Sequence, residues 1–263
     1  MREYYEGNRR FDAEHPPTER SASQVDWARL EEVGDLHFHA SAYSSALDYY
    51  QQLLDDRVLV QLPLTRALSI VRKATDSNIL LGQYHRVEEL INTAFDLISD
   101  SPDAGADPDL AVQRAVFQVR LAVVYRERGQ LQDSLQVSKA AFSVLALTDE
   151  HADVARLQAG MGIVHYRLGR MEKAEEFYND SLATFRRIGN DLGVANLLNN
   201  LALLHKNRCH WGKAQAMMEK ALNLAQQIGA SHLLPRFYLN QGILLAKIER
   251  LGEARPYLEK GLR

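Results

Sequence analysis

Residues 161–182 read "MGIVHYRLGRMEKAEEFYNDSL". The second residue, Gly162, is small, and another small residue, Ala174, follows twelve positions later. Gly169 falls between them, where a helix would end and turn. On the far side of that turn Phe177 and Ser181 recur at helical spacing. This is the pattern of two antiparallel helices that touch closely where the side chains are small.

The layout repeats without gaps. Residues 121–142 ("LAVVYRERGQLQDSLQVSKAAF"), 201–222 ("LALLHKNRCHWGKAQAMMEKAL") and 241–262 ("QGILLAKIERLGEARPYLEKGL") align with it, each start 40 residues after the last. Weaker copies stand at 33–54 and 74–95. The first small position is filled by Gly34, Thr75, Ala122, Gly162, Ala202 and Gly242. The second is filled by Ala46, Val87, Ser134, Ala174, Ala214 and Ala254. Gly189 and Gly229 follow two second helices at the usual glycine position, and Pro235 suits the first turn of the next helix. A fixed period of this size is the mark of a stacked helical-repeat array.

The blocks resemble tetratricopeptide repeats, through Gly162, Tyr166 (one place late), Ala174 and Tyr178 in the fourth copy. The usual period is about 34 residues. The longer one here is similar to that of kinesin light chains, Pins-type regulators and bacterial tetratricopeptide regulators. The resemblance implies an all-α, right-handed superhelical solenoid of about six antiparallel helix pairs. It covers residues 25–263, with repeats near 27–57, 68–98, 115–147, 155–188, 195–228 and 235–263. Residues 99–109 ("SDSPDAGADPD") form a loop insertion, which lengthens a connection at little entropic cost. Residues 1–24 read as a flexible leader. The array ends at "EKGLR" with no polar capping helix. Either the chain continues in a longer protein, the favoured reading, or the bare last repeat self-associates.

Composition narrows the function. A formal net charge of −3 argues against a generally basic nucleic-acid binder. The single cysteine, Cys209, excludes an internal disulfide, which fits a cytoplasmic protein. No apolar run is long enough for a membrane helix. Phosphate-loop, dinucleotide-binding and CxxC motifs are missing. His165 and His205 occupy a position where the family carries an aromatic, and read as packing residues rather than catalysts or metal ligands. No enzyme, cofactor or metal is expected.

In the family the first helices line a concave groove. Carried over by register, the groove of the fifth repeat presents Asn196, Asn199, Asn200, Leu203, Lys206 and Asn207. An asparagine amide both donates and accepts, so it suits a peptide backbone of any sequence. Asn240 of the sixth repeat matches Asn200, making a short ladder. The same register in repeats three to six gives the cations Arg120, Arg126, Arg156, Arg167, Lys206, Arg236 and Lys247 against one acid, Glu127. A concave surface of one sign attracts the opposite charge. Val123, Tyr166, Leu203 and Ile243 add apolar contact. The expected ligand is therefore a protein or peptide segment that is acidic or bears a carboxylate. The chain would then be a non-catalytic binding scaffold, or the regulatory region of a larger bacterial signalling or transcription regulator. The alternative is RNA binding, but the groove lacks a repeated base-reading code and has few rings for stacking.

Overall fold

The structure, a computed structural model, describes residues 26–262 except Ala104. The expected leader therefore lies outside the described residues, as does Arg263. Six helix pairs follow one another. They are α1 (Trp27–His39) with α2 (Tyr43–Leu53), then, after the single turn α3 (Asp56–Leu59), α4 (Leu64–Leu80) with α5 (Tyr84–Ser99). Next come α6 (Pro108–Glu127) with α7 (Leu131–Leu145), and α8 (His151–Arg167) with α9 (Met171–Arg187). The last are α10 (Asp191–Asn207) with α11 (Trp211–Gln227), and α12 (Leu234–Lys247) with α13 (Leu251–Gly261). A 3-10 turn over Ser231–Leu233 leads into α12. The described residues include no strand. No helix among them is long and apolar enough to cross a membrane.

The small residues lie where the paired helices meet. Ala46, Val87, Ala174 and Ala214 are completely buried, and so are Thr75 and Ala202 opposite. Their meaning depends on a third position, sixteen residues after the first. A Cβ on Gly34 would stand 2.6 Å from the Tyr50 ring, one on Gly162 2.6 Å from Tyr178, and one on Gly242 2.6 Å from Leu258. Glycine is thus paired with a ring or a leucine. Size is traded across the helix pair, as close packing requires. Ser134 Oγ and Ser181 Oγ add hydrogen bonds to the carbonyls of Ala122 (2.8 Å) and Ala155 (2.7 Å).

Every intrapair turn uses one left-handed residue, seven positions after the small one. They are Ser41 (φ 60°), Gly82 (70°), Gly129 (79°), Gly169 (74°), Cys209 (59°) and Glu249 (63°). A side chain at such φ costs about 1–2 kcal/mol. Cys209 is exposed, so its thiol offers no packing in return. Cys209→Gly is expected to stabilise the protein by about 0.5–1 kcal/mol, after the entropy that glycine adds to the unfolded chain. A rise in the urea midpoint would show it; an unchanged or lower midpoint would mean that the turn is not strained.

The core runs along the array as overlapping clusters, as expected where each repeat touches mainly its neighbours. The array also curls back on itself. The Tyr43 ring at the start of α2 meets His232 edge-on, centroids 6.0 Å apart, so the first repeat reaches the junction of the fifth and sixth.

Candidate functional site

The side chains assigned to the groove behave differently in its two halves. In the first half the charges cancel. Arg120 on α6 is only 3% exposed. Its Nε and Nη2 donate to the Asp76 carboxylate at 3.0 Å each, and its Nη1 to Asp153 Oδ1 at 2.7 Å. Burial opposes the guanidinium charge, but Asp76 and Asp153 outweigh it and hold the group above its ordinary value. Asp153 is buried too, and also accepts from Arg156 Nη1 at 2.8 Å. Burial would raise its carboxyl, yet Arg120 and Arg156 bring it below the usual range. Arg120 is therefore not a ligand-facing cation but a bolt joining α4, α6 and α8. Its partners lie 44 residues before it and 33 after, at positions that a count of groove residues in repeats three to six leaves out.

Arg126 and Arg167 both hold Glu127, at 2.8 and 3.1 Å. Arg167 also donates to the Arg126 carbonyl at 2.7 Å. At the N-terminal end Lys73 bonds Glu31 (2.7 Å) and Asp35 (2.6 Å), and Arg66 bonds Glu31 (3.1 Å). The acids of the first two repeats are thus largely answered from within the array.

The second half is different. Asn199 is 1% exposed, so it does not line the open groove as its register suggested. Its Oδ1 accepts from Asn240 Nδ2 at 2.9 Å, fastening α10 to α12, and its Nδ2 reaches Asn200 Oδ1 at 3.4 Å. Asn196 donates back to the Leu192 carbonyl at 3.0 Å and accepts from Arg236. Exposed Asn207 donates to Tyr166 Oη at 2.6 Å. The Nδ2 of Asn200 and the Oδ1 of Asn240 have no partner among the described residues. Ile243 is 42% exposed beside them, and Leu203 is half-buried.

Three cations stand in this half. Lys206 is half-buried, while Arg236 and Lys247 are exposed. Among the described residues none of the three meets a carboxylate; Arg236 bonds the Asn196 amide oxygen and lies over the Phe237 ring, 5.4 Å from its centroid. Burial, and then the neighbouring Lys247 charge, push the Lys206 ammonium below its ordinary value. Arg236 is exposed over the residue as a whole, but its guanidinium is partly desolvated, which lowers it below its ordinary value. An arrangement of cations without acids, beside unused amide groups, suits an anion carried on a hydrogen-bonding backbone.

His165 and His205 are buried, and the His165 ring stacks on Phe177 at 5.4 Å. Burial, followed by nearby cations for His165, keeps both imidazoles below their ordinary value; for His205 it outweighs Glu175. Their Nδ1 atoms have no hydrogen-bond partner among the described residues. In the unfolded chain these rings protonate near pH 6.5, and in the folded chain only at lower pH. Their contribution is intact above pH 6.5 and is lost as the pH falls toward the folded values. The melting temperature is therefore expected to drop between pH 7 and 5, and His165→Phe should flatten the drop. An equally steep drop in the variant would place the sensitivity elsewhere. No group of three or more His, Cys, Asp or Glu side chains among the described residues is arranged for a metal ion.

Six helix pairs stacked in sequence define a helical-repeat solenoid. The family model described as tetratricopeptide repeat matches residues 113–187 and 193–263, and the chain belongs to that family. Three solved structures share the fold. BtubC (BKLC) from P. vanneervenii is 21% identical at a TM-score of 0.57, covering 87% of this chain and 90% of that one. A Rap protein complexed with Competence and Sporulation Factor is 15% identical at a TM-score of 0.71, covering 90% of this chain and 64% of its own. PlcR from Bacillus thuringiensis, in complex with the peptide PapR7 and DNA, is 11% identical at a TM-score of 0.64, covering 82% and 73%. This chain thus spans less than two thirds of the Rap protein. No curated protein sequence matches it.

Proposed function

We propose that the protein is a non-catalytic scaffold that binds an acidic or carboxylate-bearing peptide segment in the groove of its fifth and sixth repeats. The observation that carries this is the group Lys206, Arg236 and Lys247, which has no carboxylate partner among the described residues. Asn200 and Asn240 offer a donor and an acceptor to the ligand backbone, and Ile243 offers apolar contact. Arg126, Arg156 and Arg167 are committed to Glu127 and Asp153, and belong to the edge of the site. PlcR is solved with a peptide, which supports a peptide as the ligand class. The scaffold fits the regulatory region of a larger bacterial regulator.

Lys206 supplies a test by pH. An anion binds the charged ammonium, so binding raises its pKa from a free-state value already below the ordinary one. Affinity for a Glu-rich peptide is then intact at neutral pH and falls as the pH rises through the free-state value. Calorimetric titration should show this alkaline loss in wild type and not in Lys206→Met. A pull-down from source lysate with wild type and Lys206→Glu/Lys247→Glu would identify the partner. A protein caught only by wild type supports the reading; captured RNA would overturn it.

A further inference from the structure

Three residues after the small position of each first helix stands His37, Asn78, Tyr125, His165, His205 or Leu245. In two repeats the ring at this point stacks on a ring twelve residues later: His37 on Tyr49 at 5.3 Å, and His165 on Phe177 at 5.4 Å. The second repeat has no ring at either place, only Asn78 and Leu90. The neighbouring α2 is also short, 11 residues against 17 in α9 and α11. A cleft of about 460 Å³ opens there, between α2 and α5, with Asn78 in its lining. Leu47, Leu54 and Leu90 form its apolar walls, and the polar Gln51, Gln83, Arg86, Glu89 and Thr93 line the rest, mostly at the exposed rim.

Asn78 is 5% exposed. Its one hydrogen bond among the described residues runs from Nδ2 to the Ala74 carbonyl at 2.8 Å, within its own helix. Its Oδ1 accepts no hydrogen bond among the described residues and is not sealed from solvent, so it is open to a ligand in the cleft. The cleft thus lacks a flat ring that sister repeats supply from within. It offers that ring aliphatic walls and one acceptor-donor pair.

We propose that this cleft is a second binding site, which takes the phenol ring of a tyrosine on a partner segment, its hydroxyl bonded to the Asn78 amide. Aliphatic walls suit the ring faces, and the amide both donates to and accepts from a hydroxyl. The site is lined mainly by the second helices, whereas the groove cations stand on the first. The protein would therefore hold two segments at once, and this inference does not depend on the groove reading.

The test uses the whole chain and p-cresol as the probe, followed by saturation-transfer NMR. Wild type should bind p-cresol with a Kd of order 1 mM, the range for a ligand of so few atoms, and bind toluene more weakly. Asn78→His places in the cleft the ring found in sister repeats, and should weaken p-cresol at least about tenfold with helix content unchanged. Leu90→Phe, copying Phe177, is the second variant and should act alike. Lys206→Glu/Lys247→Glu should bind p-cresol as wild type does. Absence of p-cresol binding to wild type, toluene bound as well as p-cresol, or full binding by both filled-cleft variants would overturn the proposal.

Discussion

Arg120→Ala is expected to destabilise the protein by about 3–5 kcal/mol, the range for removing one partner of a buried ion pair. The loss is large because Asp153 stays behind at 2% exposure, without its main buried partner. Asp76, 31% exposed in its side chain, can turn to water; Asp153 cannot. Arg156→Ala provides the contrast. That arginine is 47% exposed in its side chain, and its contact with Asp153 should be worth less than about 1 kcal/mol. Adding Asp153→Ala to Arg120→Ala should recover part of the loss, since no buried charge then remains alone. Urea unfolding of the four proteins would show it. Equal, small effects for Arg120→Ala and Arg156→Ala would mean that the three-repeat bolt does not hold the array. Acid should act in the same direction. Asp153 titrates lower folded than unfolded, so its contribution is present above its ordinary carboxylate value and disappears as the pH drops below it.

Gly162→Ala should cost about 1–3 kcal/mol, although alanine is the better helix former. The new methyl would sit 2.6 Å from two carbons of the Tyr178 ring and 3.3 Å from the Ala174 carbonyl oxygen. Tyr178 is 2% exposed and has little room to retreat. Gly160, two residues earlier in the same helix, is the control. A Cβ there meets only the guanidinium end of Arg126, at 3.3 Å, and no ring or backbone. Gly160→Ala should be neutral or stabilising by up to about 1 kcal/mol, through helix propensity alone. A matching loss in both variants would show that the helix backbone, not the contact with Tyr178, is responsible.

These two sites show what was legible beforehand. The helix pairs follow from small residues and turns at one spacing, a local pattern repeated along the chain. The left-handed turn is legible where glycine marks it, as at Gly169; Ser41 and Glu249 hold the same place in the register but carry no local signal for it. The size match of Gly162 with Tyr178 was present in the letters but emerges only when the helices are set side by side. Arg120 departs from its register for a physical reason. Its partners come from other repeats, and the stagger of neighbouring repeats decides whether a cation faces water or an acid. Asn199 departs similarly: register places it on the groove side of α10, yet packing against α12 closes over it. The one-turn α3 and the 3-10 turn before α12 carry no periodic signal, so neither was anticipated.

The central claim concerns the fifth and sixth repeats, and a binding titration there tests it most directly. A fluorescent Glu-rich peptide is titrated with wild type, Lys206→Glu/Lys247→Glu and Arg156→Glu. The first variant should lose at least about tenfold in affinity, the second much less, because Arg156 already spends its charge on Asp153. Equal losses in both variants, or a wild type indifferent to the peptide, would contradict the placement of an acidic ligand on Lys206, Arg236 and Lys247.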